Sequence, residues 1–270
     1  MKYSSNHARY SVAGIRVSAI DMDGLVRAIR DRIGLSTSAP GAFVVFRDAH
    51  GVVRARDDAR LRAAHEAAYI VCPDGRPLYW LGRLRGSTGV QQVPGIESVD
   101  AVCRAGLGEG WRHYFIGGGE GVAPRLAAVL SDRLPGLAVA GFETPPFRDL
   151  TPAEAGAMRE RIKASGAHVV WVGLGTPKQE LFMAEHAPHL PGTVAMGVGA
   201  AFDVLTGRIP RAPRWLTLIG LEWCYRLARE PRRLFWRYVA TIPRFLLLVA
   251  VEAGTARRDA IAAASRPRRR

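Results

Sequence analysis

The sequence contains few cysteines and lacks two common metal-binding patterns. Its three cysteines, Cys72, Cys103 and Cys224, are far apart and odd in number, which predicts buried free thiols in a reducing compartment rather than a disulfide framework. It has no HExxH pattern and no Cys/His cluster, which are common sources of metal ligands in proteins. We therefore expect no metal site and no cofactor.

A secretion signal and a long hydrophobic stretch are also lacking. Residues 1–10 have no apolar core, so they do not have the pattern of a signal peptide. The longest late apolar run, 245–251, is far shorter than the ~20 residues that cross a bilayer. These absences predict a cytosolic protein.

Positive charge is concentrated at one end of the chain. From Arg211 onward there are 14 arginines, four acids and neither lysine nor histidine, so +10 of the formal net charge of +14 falls in the last 60 residues. This asymmetry predicts an anionic partner. The charge alone leaves a membrane surface, nucleic acid and a phosphorylated substrate open.

What the chain does contain is an alternation of apolar, β-rich runs with amphipathic helical stretches, in 270 residues of which 48% are hydrophobic. Several runs are apolar without alternation, which is typical of parallel strands covered on both faces. The order predicts an α/β fold with a doubly wound, Rossmann-like parallel sheet. Predicted strands cover 42–46, 69–72, 113–117, 137–141, 167–174 and 193–198, and predicted helices cover 57–68, 121–134, 152–164 and 178–186.

The two ends of the chain differ from this middle part. Residues 10–20 alternate between apolar and polar positions, which predicts an edge hairpin. After Arg208 the segment is rich in Trp, Arg and Pro, and we expect short helices and no further strand there. We therefore divide the chain into a Rossmann-like core, 1–208, and a basic C-terminal appendage, 209–270, whose tail from residue 262 we expect to be disordered.

The most informative stretch is 172–180, Val-Gly-Leu-Gly-Thr-Pro-Lys-Gln-Glu. An apolar strand leads here into a polar helix start, with Thr176 at the expected N-cap and Pro177 at the first helical position. A helix N-terminus at the carboxyl end of a buried strand suits a phosphate, although an ordinary capped turn has the same pattern. Lys178 and Gln179 at the helix start favour the ligand site.

Acidic side chains follow three of the predicted strands. Asp74 lies in Cys-Pro-Asp-Gly, Asp48 precedes His50 in a polar loop, and Asp203 follows Gly-Val-Gly-Ala-Ala-Phe. Doubly wound sheets bind ligands at the carboxyl ends of their strands, so these residues are candidates for substrate contacts. Each of the three segments also has a purely structural interpretation. Asp74 could be a turn residue, His50 a loop histidine and Asp203 a charge at a helix N-terminus.

A glycine-rich turn follows the predicted strand 113–117. Gly117 and Gly118 would let a ligand approach the backbone closely. The GxGxxG fingerprint of dinucleotide sites fits poorly, because no acid follows at the expected spacing on a strand end. A nucleotide diphosphate is therefore favoured over NAD.

Arginines recur at helical spacing in the appendage, at Arg226, Arg229 and Arg233. Arginine forks bind phosphate with two parallel hydrogen bonds. A solvated basic face is the alternative, but Trp and Leu lie among the arginines and favour docking against the core.

Taken together and in this order, these segments resemble the WecG/TagA/CpsF family of bacterial glycosyltransferases. The resemblance covers about residues 10–245, nearly all of the chain outside the tail. Its most specific parts are 73–75 (Pro-Asp-Gly), 115–118 (Phe-Ile-Gly-Gly), 141–147, 172–180, 197–203, 211–213 (Arg-Ala-Pro), 221–227, 230–233 and 237–238.

The resemblance implies an inverting, metal-independent transfer of a sugar from a UDP-sugar to a polyprenyl-pyrophosphate-linked glycan, in exopolysaccharide or cell-wall polymer synthesis. By the match at 73–75 it implies that Asp74 is the general base. A carboxylate of ordinary pKa, ~3.9, is ionised at neutral pH and can accept the proton of the acceptor hydroxyl. The resemblance also places Gln179 and Thr176 in the active-site turn, next to Lys178, and Asp203 in the nucleotide pocket.

The appendage has two implied roles. Arg226, Arg233 and Arg237 match the family arginines that close over the pyrophosphate, where they would neutralise the leaving group. The basic appendage would also hold the protein against anionic lipid at the inner face of the plasma membrane, at ~1 kcal/mol per nearby basic residue. We thus expect a peripheral membrane enzyme. Its oligomeric state is left open, and a homo-oligomer is one of the alternatives.

One segment departs from the family pattern. Members usually carry Thr-x-Asn before a histidine-containing loop, whereas this chain has Phe46, Arg47 and Asp48 before His50. Phe46 cannot donate a hydroxyl and Asp48 adds a charge, so the usual acceptor or sugar contacts are altered. This keeps open a second function, a catalytically impaired UDP-sugar-binding scaffold of a polysaccharide assembly complex. A nucleic-acid-binding protein is disfavoured, because strand-end acids would repel a phosphate backbone.

Overall fold

The computed structural model describes residues 7–35 and 39–264. The strands are β1 (Arg9–Val12), β2 (Ile15–Ser18), β3 (Ala42–Arg47), β4 (Ile70–Pro73), β5 (Arg112–Gly117), β6 (Ala138–Glu143), β7 (Val169–Gly173) and β8 (Val194–Gly197). The helices are α1 (Met22–Ile33), α2 (Ala49–Asp57), α3 (Ala59–Ala67), α4 (Arg76–Leu84), α5 (Gly95–Leu107), α6 (Val122–Arg133), α7 (Pro152–Ser165), α8 (Lys178–His186), α9 (Ala201–Leu205), α10 (Arg214–Leu218), α11 (Glu222–Arg229) and α12 (Pro231–Ala264).

Six strands form a parallel sheet in the order β4-β3-β8-β7-β5-β6. One hydrophobic layer packs the sheet against the hairpin, α2, α3, α4, α7, α8 and α12, and the other packs it against α1, α5, α6 and α9. Burial on both faces explains why β3, β4, β7 and β8 are continuous apolar runs. The predicted doubly wound α/β fold is confirmed, as are its six predicted strands. The strand pair expected within 10–20 is also present, as the antiparallel hairpin β1–β2, which forms a separate two-stranded sheet and not an edge of the main one.

Two local predictions were wrong. The polar loop expected after β3 is the helix α2, which Asp48 caps by accepting a hydrogen bond from the Gly51 N–H at 2.8 Å. The helix after β7 covers the predicted range from Lys178, but its N-cap is Pro177 and not Thr176. The Thr176 hydroxyl donates to Glu180 Oε1 at 3.0 Å instead, because the Gly-Thr-Pro turn directs it along the helix.

The C-terminal segment contains helices, as predicted, but one of them is long. α12 runs for 34 residues with Pro243 inside it, and it reaches Ala264, so residues 262–264 of the expected disordered tail are helical. Residues 265–270 lie outside the described part of the chain. The expectation that no segment is long enough to cross a bilayer also needs correction. By length and composition alone, Leu234–Thr255 could cross one, since it has 22 residues and a mean hydropathy of 1.6. Charged residues interrupt this stretch, and a search for unbroken apolar runs therefore missed it.

α12 is attached to the core by polar contacts as well as by packing. The Glu252 carboxylate accepts hydrogen bonds from the Ala13 N–H (2.7 Å) and from Arg85 (2.7 Å). Nearer the start of the helix, Arg244 forms a two-pronged ion pair with Asp57, with distances of 2.7 and 2.6 Å. These contacts lay α12 along the surface formed by α2 and the hairpin.

Candidate active site

A cleft of about 330 Å³ opens at the carboxyl edge of the sheet. It lies where β3, β4, β7 and β8 end, with α5 on one side and the C-terminal helices on another. Its polar lining residues, drawn from seven separate segments of the chain, are Asp48, His50, Asp74, Glu97, Thr176, Gln179, Arg211, Glu222, Arg226 and Arg237. Seven of the predicted site residues are thus brought together.

Asp74 follows β4 and lies partly buried in this cleft. The pKa of its carboxyl is raised to about 7, first by burial and then by the neighbouring carboxylates of Asp48, Glu222 and Glu97, against a hydrogen bond from the Gly95 N–H that lowers it. The expectation of an ordinary ionised aspartate was therefore wrong. A carboxyl that titrates near neutral pH is suited to exchange protons with a substrate.

Gln179 is buried, and its side-chain amide is fully engaged. Its Nε2 donates to the Gly197 carbonyl at 2.9 Å and to Glu180 Oε1 at 3.1 Å, and its Oε1 accepts from the Gly175 N–H at 3.2 Å. These bonds tie the start of α8 to the ends of β7 and β8. Gln179 therefore holds the turn that forms the floor of the cleft.

Beneath this turn lies a charged pair that the sequence reasoning did not anticipate. Arg47, the last residue of β3, is 1% exposed, and its Nη2 lies 2.6 Å from Oε1 of Glu180, which is 0% exposed. The same oxygen accepts from Thr176 and Gln179. Arg47 is the middle residue of Phe46-Arg47-Asp48, the segment that departs from the family pattern. That departure was the sequence signal that could have pointed to the pair.

His50 connects the core to the appendage. It lies in the first turn of α2, and its Nδ1 is 3.1 Å from the Thr241 hydroxyl of α12. Burial lowers the pKa of His50, although the nearby Asp48 opposes this effect. A neutral imidazole at this position can exchange hydrogen bonds with the hydroxyl and with a ligand in the cleft.

The appendage contributes charges of both signs to the cleft. Arg226 of α11 and Arg237 of α12 line it together with Glu222. Arg211 forms an ion pair with Glu97 of α5, which fastens the start of the appendage to the core. Sequence reasoning missed Glu97, Glu222 and Arg211 as cleft residues, although two of them lie in the motifs 211–213 and 221–227.

Other predicted site residues lie beside the cleft rather than in it. Gly117 and Gly118 end β5, and the Gly118 N–H donates to the Gly173 carbonyl at 3.0 Å. Asp203 lies in α9, 3.6 Å from Arg208 Nε. Lys178 Nζ is 3.5 Å from the Phe147 carbonyl on the exposed surface. These four residues do not line the cavity.

The side chain of Arg233 lies outside what the structure describes. Across residues 7–35 and 39–264, no group of three or more His, Cys, Asp or Glu side chains is arranged to hold a metal ion.

Two comparisons bear on this site. The profile of the Glycosyl transferase WecG/TagA/CpsF family matches residues 10–259. A protein from Bacillus spizizenii named N-acetylglucosaminyldiphosphoundecaprenol N-acetyl-beta-D-mannosaminyltransferase is 28% identical over 209 residues, which cover 77% of this chain and 79% of that protein. The family match extends over the strand ends and the start of the appendage that build the cleft.

Proposed function

The chain belongs to the WecG/TagA/CpsF family of glycosyltransferases, and we propose that it transfers a sugar from a UDP-sugar to a polyprenyl-diphosphate-linked glycan with inversion at the anomeric carbon. The observation that carries this proposal is that Asp74 lines one cleft with Arg226 and Arg237. A base and fixed cations are what a displacement without metal assistance needs. The relative from Bacillus spizizenii is named for an acceptor linked to diphosphoundecaprenol, which supports the proposed class of acceptor.

Asp74 is the proposed general base. Its carboxylate removes the proton of the acceptor hydroxyl while that oxygen forms a bond to the anomeric carbon. The bond from that carbon to the UDP oxygen breaks at the same time, and its electron pair leaves with UDP. A base with a pKa of about 7 combines a substantial ionised fraction with useful basicity at neutral pH.

Arg226 and Arg237 are the proposed partners of the diphosphate. Guanidinium groups bind phosphate oxygens with paired hydrogen bonds, and negative charge develops on those oxygens as the bond to the sugar breaks. Arg237 has a donor left for such a partner, because its Nε is buried without a hydrogen-bond partner among the described residues. Both arginines come from the appendage, so we infer that the appendage completes the active site.

The turn 175–179 is the proposed platform for the donor. Thr176 and Gln179 line the cleft, and Gln179 fixes the backbone of β8 through the Gly197 carbonyl. We assign Gly117, Gly118 and Asp203, which lie at the same sheet edge outside the cavity, to the nucleotide end of the donor. Lys178 lies at the rim.

The segment with Phe46 and Asp48 supports the alternative function. Phe46 lines the cleft where a hydroxyl is usual, and one oxygen of Asp48 is committed to capping α2. A chain that binds the donor without transferring its sugar would act as a scaffold. The intact arrangement around Asp74 favours the enzyme.

We also propose that the enzyme lies on an anionic membrane surface through α12. Large apolar side chains are exposed along this helix, at Phe235, Trp236, Val239, Ile242, Leu246, Leu247 and Val251. The opposite side of α12 carries Phe245 and Glu252, which pack against or hydrogen-bond to the core. An amphipathic helix docked in this way suits contact with the interface rather than a span.

The test is a transfer assay with the full chain, undecaprenyl-diphosphate-linked N-acetylglucosamine and a panel of UDP-sugars. We expect one donor to give a product with an inverted linkage, and Asp74→Asn to lower the rate by ~10²–10⁴ while UDP binding changes only a few-fold. Asp132→Asn, an exposed aspartate on α6, is the matched control. UDP binding without transfer from any donor would support the scaffold instead.

A further inference from the structure

A second cavity, of about 320 Å³, lies between the turn of the β1–β2 hairpin and α3. None of its lining residues lines the active-site cleft. Its volume falls at the lower end of the ~300–1,000 Å³ of small-molecule sites. The mechanism above makes no use of this cavity.

Three arginines line it. Arg9 is fixed by hydrogen bonds from its Nη2 to the Ala68 and Tyr69 carbonyls, at 2.7 and 3.0 Å. Arg16 comes from β2 and Arg62 from α3. In the described part of the chain, these arginines form no ion pair with a carboxylate.

Like charges lie close together around this space. Burial lowers the pKa of Arg9, and the neighbouring Arg16 lowers it further. A fourth guanidinium is adjacent, since a Cβ placed on Gly14 would lie 2.7 Å from Nη1 of Arg56. Glu66 is the single carboxylate among the lining residues, so positive charge remains in excess.

His65 distinguishes this cavity from an ordinary solvated basic surface. It lines the cavity, it is 2% exposed, and neither of its ring nitrogens has a hydrogen-bond partner among the described residues. Burial, assisted by the nearby Arg47, places the pKa of His65 well below its usual value, so the ring is neutral and offers one N–H donor. A buried donor without a partner is unfavourable, and a ligand that accepts its hydrogen bond would remove this cost.

We propose that this cavity is a second anion site that binds a phosphate group between Arg9, Arg16 and Arg62. Phosphate oxygens match the paired donors of guanidinium groups, and the acceptor oxygens that remain can take a hydrogen bond from His65. The site is independent of sugar transfer, because it shares no residue with the cleft.

The position of the cavity favours a lipid headgroup as the source of the phosphate. Gly14 lines the cavity, and its N–H donates to Glu252 of α12 at 3.3 Å. The cavity therefore adjoins the same helix that exposes Leu246, Leu247 and Val251. An apolar helix face beside a cationic pocket matches the two parts of an anionic lipid. A soluble phosphate ester presents the same kind of acceptor oxygens and is the second source.

The site is tested by titrating the full chain, saturated with UDP to occupy the active-site cleft, with inorganic phosphate at constant ionic strength. Arg16→Ala/Arg62→Ala should weaken phosphate binding at least about tenfold. Both residues are exposed, so the variant should fold. Arg27→Ala/Arg125→Ala removes the same charge from exposed positions on α1 and α6 and should bind phosphate like the parent. Absence of saturable binding by the parent, or equal weakening in both double variants, would overturn the proposal.

A second measurement identifies the source. Vesicles of phosphatidylcholine and of an equal mixture of phosphatidylcholine and phosphatidylglycerol are compared by flotation with the same three proteins. Selective loss of the phosphatidylglycerol preference in Arg16→Ala/Arg62→Ala supports a headgroup site. Equal behaviour of the two double variants on vesicles, together with selective loss of phosphate binding, supports the site with a soluble phosphate as its ligand. Transfer to a soluble acceptor analogue should be unchanged in both, so failure of the sugar-transfer proposal would be seen separately.

Discussion

Arg47 and Glu180 form a fully buried ion pair that joins the end of β3 to the start of α8, with 2.6 Å between Nη2 and Oε1. The carboxylate also accepts from Thr176 and Gln179, which line the active-site cleft. A charge buried here is stable only with its partner. The pair therefore couples the stability of the core to the shape of the turn 175–179.

Removing one member of this pair should be costly. Arg47→Met leaves the Glu180 carboxylate buried without its cation, and we expect the free energy of unfolding to fall by about 3–5 kcal/mol. Arg47→Met/Glu180→Gln should be more stable than the single variant, because the amide oxygen still accepts from Thr176 and Gln179. Urea unfolding of the set measures both effects.

The exposed pair Arg148–Glu154, at 2.7 Å, is the control. Arg148→Met should change stability by only about 0–1 kcal/mol, as exposed ion pairs do. If Arg47→Met costs no more than this control, the buried pair does not organise the turn.

Sequence patterns predicted most of the fold because burial on both faces of the sheet makes β3, β4, β7 and β8 unbroken apolar runs. They failed at α2, whose N-cap Asp48 lies in a short polar stretch that has no strong helical period. The length of α12 was underestimated for a different reason. Its apolar residues are spread over two faces of a helix and interrupted by Arg237, Arg244 and Glu252.

Motif matches located the strand-end residues of the site but not their electrostatics. Asp74 was predicted as a base, whereas its pKa of about 7 depends first on burial and then on neighbouring carboxylates, among them Glu222 and Glu97 from α11 and α5. The Arg47–Glu180 pair spans 133 residues of sequence. Such long-range partners are set by tertiary packing and leave no local pattern.

The pH dependence of transfer should report Asp74. Because its folded pKa is about 7, the ionised, basic form increases as pH rises through that value. We expect kcat/KM to increase with pH and to level off about one unit above the pKa. Stopped assays across the range give the profile. A rate that is flat between about pH 5 and about pH 8 would remove Asp74 as the base.

Stability should change with pH through the same group. The folded pKa of Asp74 lies above its usual value of 3.8, so its contribution to stability is complete below that value and is lost as pH rises through about 7. Asp74→Asn cannot ionise, and it should gain stability relative to the parent toward alkaline pH, by at most about 4 kcal/mol. Urea unfolding at about pH 5 and about pH 8 tests this. Asp132→Asn should show no such gain.

Chelation should leave transfer intact if the arginines stabilise the leaving diphosphate. Arg226 and Arg237 line the cleft and supply fixed positive charge. The measurement is the initial rate after extensive EDTA treatment, compared with the rate after adding back Mn²⁺ or Mg²⁺. Loss of transfer that Mn²⁺ restores would mean that a metal ion, rather than Arg226 and Arg237, stabilises the leaving group.

The exposed face of α12 should be needed for membrane binding but not for folding. Truncation after Arg208 removes the whole appendage, but it would also uncover the core around Phe245, which is 5% exposed and packs against the main hydrophobic layer. Point variants on the exposed face of α12 therefore test membrane binding more specifically than the truncation does. Leu246→Glu/Leu247→Glu changes two side chains that are 61% and 63% exposed, and we expect vesicle binding to weaken at least about tenfold with an unchanged melting temperature.

Leu84→Glu, at an exposed leucine on α4, is the matched control for an added carboxylate. Flotation with anionic vesicles at low and high salt separates the two contributions, since salt screens surface charge but leaves apolar insertion. We expect the parent to retain part of its binding at high salt and Leu246→Glu/Leu247→Glu to retain none. Equal binding by both would show that α12 does not contact the bilayer.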